Sequence, residues 1–146
     1  MSVMKGWPVL ILFLCAGLTA CGEKAAPAPT MPLPVILPDH YQWLKPDKVV
    51  ELQSSTPDLG ILDVRNEAEM RDGNGWLLGA QPCSFFDGGE AKLTELDRNR
   101  PWLVYCTLGG RSERVAKTMA SLGFKQVYLL KGGFIEWLAE KKPVVK

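Results

Sequence analysis

From Tyr41 to the C-terminus, short apolar runs alternate with segments whose apolar residues recur at helical spacing. "YQWL" predicts a short strand, and Pro46-Asp47 opens a helix through "KVVELQSS", with proline in the first turn, where its missing N–H costs least. "LGILDVR" is an apolar run ending in charge, as expected of a parallel strand buried on both faces. Asn66 follows as the cap of a short helix carrying Glu67, Glu69 and Met70. "GAQPCSF" predicts a further strand, and "GEAKLTELDR" a helix with Leu93 and Leu96 on one face. "PWLVYC" is a strand, "SERVAKTMASLGF" an amphipathic helix ending at Gly123, "QVYLL" a strand, and "GGFIEWLAEKK" the last helix. This alternation predicts a single α/β domain: a doubly wound parallel sheet with helices on both faces.

The first forty residues follow a different pattern. "MSVMKGWPVLILFLCAGLTAC" places Lys5 before an apolar core from Trp7 to Ala16, too short to span a bilayer comfortably. It ends in Leu18, Thr19, Ala20 and Cys21, which resembles the lipobox of bacterial lipoproteins. That resemblance implies a signal peptide over residues 1–20, acylation of Cys21, and an anchor at the cell envelope. Gly22 after the cysteine, rather than Asp, implies the periplasmic face of the outer membrane if the host is Gram-negative. Residues 21–39 are dense in Pro and Ala and read as a semi-extended linker, leaving the folded domain at 40–146.

Composition narrows the chemistry. Lys+Arg 17 against Asp+Glu 16 leaves a formal net charge of +1, so no basic excess points to nucleic acid. The one histidine, His40, stands outside any Cys or His cluster, so neither a zinc site nor another metal or cofactor is expected. Cys15 leaves with the signal and Cys21 carries lipid, so the domain holds two thiols, Cys83 and Cys106.

Cys106 stands in "VYCTLGGRS", where a buried strand turns into a helix. Helix N-termini present unpartnered N–H groups and partial positive charge, which favour a thiolate. Gly109 and Gly110 permit the positive φ that lets successive N–H groups converge, and Arg111 adds a permanent cation. Cys106 is therefore the candidate nucleophile.

"LDVRNEAEM", Gly79-Ala80, "VYCTLGGRS" and "LLKGGFIEW", in this order, resemble the landmarks of a single-domain rhodanese over roughly residues 40–146. The resemblance implies a sulfurtransferase that moves a sulfane sulfur from a donor such as thiosulfate to cyanide or a thiol, through a persulfide on Cys106. It also implies that Thr107, Leu108, Gly109, Gly110 and Ser112 form the substrate-binding loop, with Arg111 as its closing cation. Asp63 and Arg65 match the family's structural charged pair, and Gly132, Gly133 and Trp137 match its last turn and helix. Many rhodaneses read Gly-His-Ile-Pro-Gly-Ala where this chain has Gly75-Trp76-Leu77-Leu78-Gly79-Ala80, a departure bearing on local loop shape, as does the extra "RDGNG" before it.

Other readings stand beside this one. Cysteine phosphatases and arsenate reductases also pair a cysteine loop with an arginine, but the familiar phosphatases hold one residue more between the two. Thr107, Leu108, Gly109 and Gly110 alone separate Cys106 from Arg111, a ring suited to sulfur rather than phosphate. A non-catalytic module binding a sulfur species or a partner at the envelope is the second alternative. Cys83 reads as a buried strand residue, or as a thiol that resolves the Cys106 persulfide to a disulfide. The physiological donor and acceptor and the oligomeric state are not encoded in these motifs.

Overall fold

Successive residues of a strand face opposite sides, and here both sides are apolar. The computed structural model describes residues 41–85 and 88–146; the expected signal segment, Cys21, the linker and His40 lie outside the described residues. The elements alternate as β1 (Gln42–Leu44), α1 (Pro46–Ser55), β2 (Gly60–Asp63), α2 (Glu67–Met70), β3 (Ala80–Pro82), α3 (Gly89–Leu93), β4 (Trp102–Tyr105), α4 (Gly110–Ser121), β5 (Val127–Leu130) and α5 (Gly133–Ala139).

The strands form one sheet in the order β1-β5-β4-β2-β3, every pair parallel. Leu62, Trp102, Val104, Val127 and Leu129 face one side, where they pack with Leu93 of α3 and Val115, Ala116 and Met119 of α4. Ile61, Leu103, Tyr105, Tyr128 and Leu130 face the other, against Val49 and Leu52 of α1 and Phe134 and Trp137 of α5. The doubly wound parallel sheet expected from the sequence is the observed fold. Among the described residues, no helix is long and apolar enough to cross a membrane.

Three element ends differ from the sequence expectation, each for a local reason. β3 stops at Pro82, because the chain turns away once the Cys83 amide has bonded Asp63 O at 2.8 Å. α3 stops at Leu93, where the next amides reach back three residues, Thr94 to Ala91 O and Glu95 to Lys92 O, both at 3.2 Å, a tighter coil than the α-helix. α5 stops at Ala139, and Lys141 then takes a positive φ of 53° that ends the coil.

At the carboxyl ends of the strands sits a buried ion pair. Arg65 Nη2 lies 2.7 Å from Asp63 Oδ2, and the Tyr105 hydroxyl donates to the same oxygen at 2.7 Å. Arg65 also donates to Gly75 O at 2.9 Å and Glu69 O at 3.2 Å, and its guanidinium stacks over Phe134 at 4.1 Å. One buried cation thus ties β2 to α2, to the turn at Gly75 and to α5. Isolated buried charge is strongly unfavourable, so these partners form as a set or not at all.

The departing segment 75–80 is held by other means. Trp76 and Val145 exchange backbone hydrogen bonds at 3.0 and 2.9 Å, so the C-terminal residues pair with this turn. Within "RDGNG", Asp72 Oδ1 accepts from the Asn74 amide at 2.8 Å and closes a local turn.

Candidate active site

Cys106 is the first residue after β4, and the loop from Thr107 to Gly109 carries the chain into α4. The thiol is 1% exposed, so its charge state depends on the groups around it rather than on bulk water. The Gly109 amide donates to Cys106 Sγ at 3.0 Å. Burial pushes the thiol up, but the N–H groups of Ser112, Gly109 and Leu108 outweigh it and hold the thiol below its ordinary range. The Ser112 hydroxyl has one proton to give: it donates to Gly109 O at 2.8 Å, while its oxygen lies 3.7 Å from Cys106 Sγ. The backbone amides are accordingly the fixed donors.

Of those amides, that of Leu108 is held through its own peptide plane, whose carbonyl is Thr107 O, while the neighbouring Cys106 carbonyl is tied to the same helix. Phe134 N donates to Cys106 O at 2.8 Å and Ile135 N to Thr107 O at 3.2 Å. Only glycine fits at the start of α5, since a Cβ on Gly133 (φ 65°) would stand 2.4 Å from Thr107 O. Gly109 takes a φ of 113°, the backbone reversal that aims its amide at sulfur. Gly110, by contrast, opens α4 without a positive φ and with open space where a Cβ would be, so the loop's curl rests on Gly109 alone.

Arg111 closes the loop in company. Its Nη1 and Nη2 meet Glu69 Oε2 and Oε1 at 2.6 and 2.5 Å, and Nη2 also reaches Thr107 Oγ1 at 3.0 Å. The Thr107 hydroxyl donates to Glu69 in turn. Arg111, with help from Thr107 and the Asn66 amide, pulls the Glu69 carboxyl down to about 2 against the opposing effect of burial. Arg111 is raised first by Glu69 and further by the charge of Cys106, so its cation is shared, with the carboxylate taking the larger part.

Glu69 is the site residue that sequence reading missed. Its signal lay in the spacing: Asn66 accepts from the Glu69 amide at 2.8 Å and Glu69 returns a bond to the Asn66 amide at 2.9 Å, a capping box. Arg65 holds the carbonyl of the same residue. Trp137, buried, anchors α5 by donating to Pro143 O at 3.0 Å and takes no part in the loop.

Cys83 shares a buried apolar cluster with Cys106 but is not brought within disulfide reach of it. Pro82 and Tyr105 both register with Asp63, so the two cysteines lie one residue further on with β2 between them. Two strand spacings make roughly 9–10 Å, beyond the reach of about 7 Å that a disulfide allows between Cα atoms. Burial pushes the Cys83 thiol up, and its Sγ faces Gly89 O at 3.6 Å. Both thiols are free. Among the described residues, no three His, Cys, Asp or Glu side chains gather as a metal site.

A buried cysteine with amide donors at the mouth of a helix, on a parallel α/β sheet, has the surroundings that favour a nucleophilic thiol. Residues 45–140 match the rhodanese-like domain model, and the chain belongs to that family. It is 47% identical over 86 residues to the thiosulfate sulfurtransferase GlpE of Coxiella burnetii (strain RSA 331 / Henzerling II), covering 56% of this chain and 74% of that protein. It is 37% identical over 89 residues to the tRNA uridine(34) hydroxylase of Nitrobacter winogradskyi, covering 59% of this chain but only 35% of that longer protein. The polysulfide-sulfur transferase homodimer from Wolinella succinogenes superposes with a TM-score of 0.62 at 29% identity, over 72% of this chain and 78% of that one.

Gly133→Ala tests whether α5 shapes the loop. A methyl group there must displace the Thr107 carbonyl and tolerate a positive φ, at a cost of about 1–3 kcal/mol. Urea denaturation should show that loss, and alkylation of Cys106 at neutral pH should slow, because the amides no longer converge. Unchanged alkylation would mean that the loop keeps its shape without α5.

Proposed function

We propose that the protein is a sulfurtransferase that carries one sulfane sulfur as a persulfide on Cys106. The observation that carries this reading is the donation of the Gly109 amide to a buried Cys106 Sγ at 3.0 Å, within a ring of amides at the start of α4. Such fixed donors stabilise charge on sulfur without reorganising. The names of two relatives, a thiosulfate sulfurtransferase and a polysulfide-sulfur transferase, support the same reading.

The reaction is a double displacement. The Cys106 thiolate attacks the outer sulfur of thiosulfate, an S–S bond forms as the donor's S–S bond breaks, and sulfite leaves with the electron pair. Cys106–S–S⁻ remains, its outer sulfur held by the amides of the loop. An acceptor such as cyanide or a thiolate then attacks that outer sulfur, and the Cys106 thiolate is released. No general base is needed, because the cradle already favours the thiolate. Arg111, with Glu69 and Thr107, holds the loop's closing end and adds its cation to the field at sulfur.

Treating the purified protein with thiosulfate should add the mass of one sulfur, and cyanide should remove it as thiocyanate. Cys106→Ser should fold yet gain nothing, since a hydroxyl is a far weaker nucleophile at neutral pH and Cys83 lacks the cradle. Sulfur uptake and transfer by the serine variant at the wild-type rate would overturn the assignment.

The proposal extends to place: the domain works at the cell envelope, tethered by lipid on Cys21 through the Pro- and Ala-rich linker. Cys21→Ser should leave the protein in the soluble fraction or unprocessed, because lipid alone would hold it. Firm membrane association of that variant once its signal segment has been removed would refute the tether.

A further inference from the structure

Among the described residues, the exposed large apolar side chains are Trp43, Trp76, Leu78, Leu108 and Ile135. One exposed leucine signifies little. Three of these residues, however, meet three successive positions of the Cys106 loop. Ile135 bonds Thr107 O through its amide at 3.2 Å, Leu108 is the next loop residue and is 71% exposed, and the Trp43 ring lies 3.2 Å from where a Cβ on Gly109 would stand. They come from α5, the loop itself and the edge strand β1, so the fold rather than local sequence brings them to the loop that carries Cys106.

Charge points the same way. The cation that closes this loop is held in a two-pronged ion pair with Glu69, 2.5 and 2.6 Å from its oxygens. A hydrated dianion approaching Cys106 must compete with that carboxylate for Arg111, whereas an apolar group gains by leaving water.

We infer that Trp43, Leu108 and Ile135 form an apolar collar that selects sulfur acceptors bearing an apolar substituent, namely small alkyl or aryl thiols, over small hydrated anions. This rests on the sulfur-transfer reading above. In the step concerned, R–S⁻ attacks the outer sulfur of Cys106–S–S⁻, the new S–S bond gives R–S–S⁻, and Cys106–S⁻ leaves with the electron pair. As that bond forms, R packs against the collar. A methylene fully withdrawn from water is worth about fourfold in rate, and one half-withdrawn about twofold.

The test loads the protein with thiosulfate, removes the excess, verifies the added sulfur by intact mass, and then measures loss of that sulfur to ethanethiol, propanethiol and butanethiol. These thiols have near-equal acidity, so their intrinsic reactivity is similar. The rate constant should rise about two- to fourfold per methylene. The butanethiol-to-ethanethiol ratio, taken within each variant so that changes in basal rate cancel, should fall in Leu108→Ser, Ile135→Ser and Trp43→Ser. A fully loaded persulfide with a flat series overturns the collar alone. A rise that none of the three variants reduces overturns its assignment to these residues, and failure to load sulfur at all removes the sulfur-transfer reading and the collar with it.

Discussion

Among the amides that converge on Cys106, that of Leu108 is fixed by the bonding of its own peptide's carbonyl, Thr107 O, to the helix behind the loop. A peptide unit is planar, so fixing its oxygen fixes its N–H as well. Phe134 and Ile135 donate to the carbonyls of Cys106 and Thr107, and the absence of a side chain on Gly133 lets α5 come close enough to do it. Burial of the thiol would by itself disfavour charge, yet the donors reverse that preference. The charge preference of the thiol is thus a property of the loop's backbone and of the helix packed behind it.

A second layer holds the loop's other end. Arg65, buried with Asp63, grips the carbonyl of Glu69 while the capping box with Asn66 sets its side chain, so that the carboxylate meets Arg111 and Thr107. Because the folded Glu69 carboxyl is lowered from 4.5 to about 2, this link contributes stability above the ordinary carboxylate range. It is lost as pH falls through about 2, where the carboxylate protonates. The cation of Arg111 is consequently more a clamp on the loop than a free charge beside sulfur.

Much of this was legible in the sequence, for physical reasons. Doubly buried parallel strands are apolar throughout, so "GILD", "WLVY" and "VYLL" announce both the strands and the two-sided packing. Cys106, Gly109 and Arg111 stand within six residues of one another, and local spacing is what sequence displays well. Glu69 was hidden because it reaches the loop from 42 positions before Arg111. Trp43 was hidden likewise, brought to Gly109 by the edge strand. The two glycines of the loop looked equivalent, but only Gly109 needs its positive φ, a distinction that depends on where α4 begins. Cys83 shared a strand-like run with nothing to show its distance from Cys106, which follows only from strand order.

Backbone amides hold the Cys106 thiol below its ordinary range in spite of burial. Ultraviolet absorbance of the thiolate, titrated against pH in the native protein and corrected by subtracting Cys106→Ser, measures this directly. The native midpoint should lie below that of the same cysteine in urea, because the amides favour the charged form only in the fold. A native midpoint at or above the denatured one would contradict the account, since burial would then have won over the cradle.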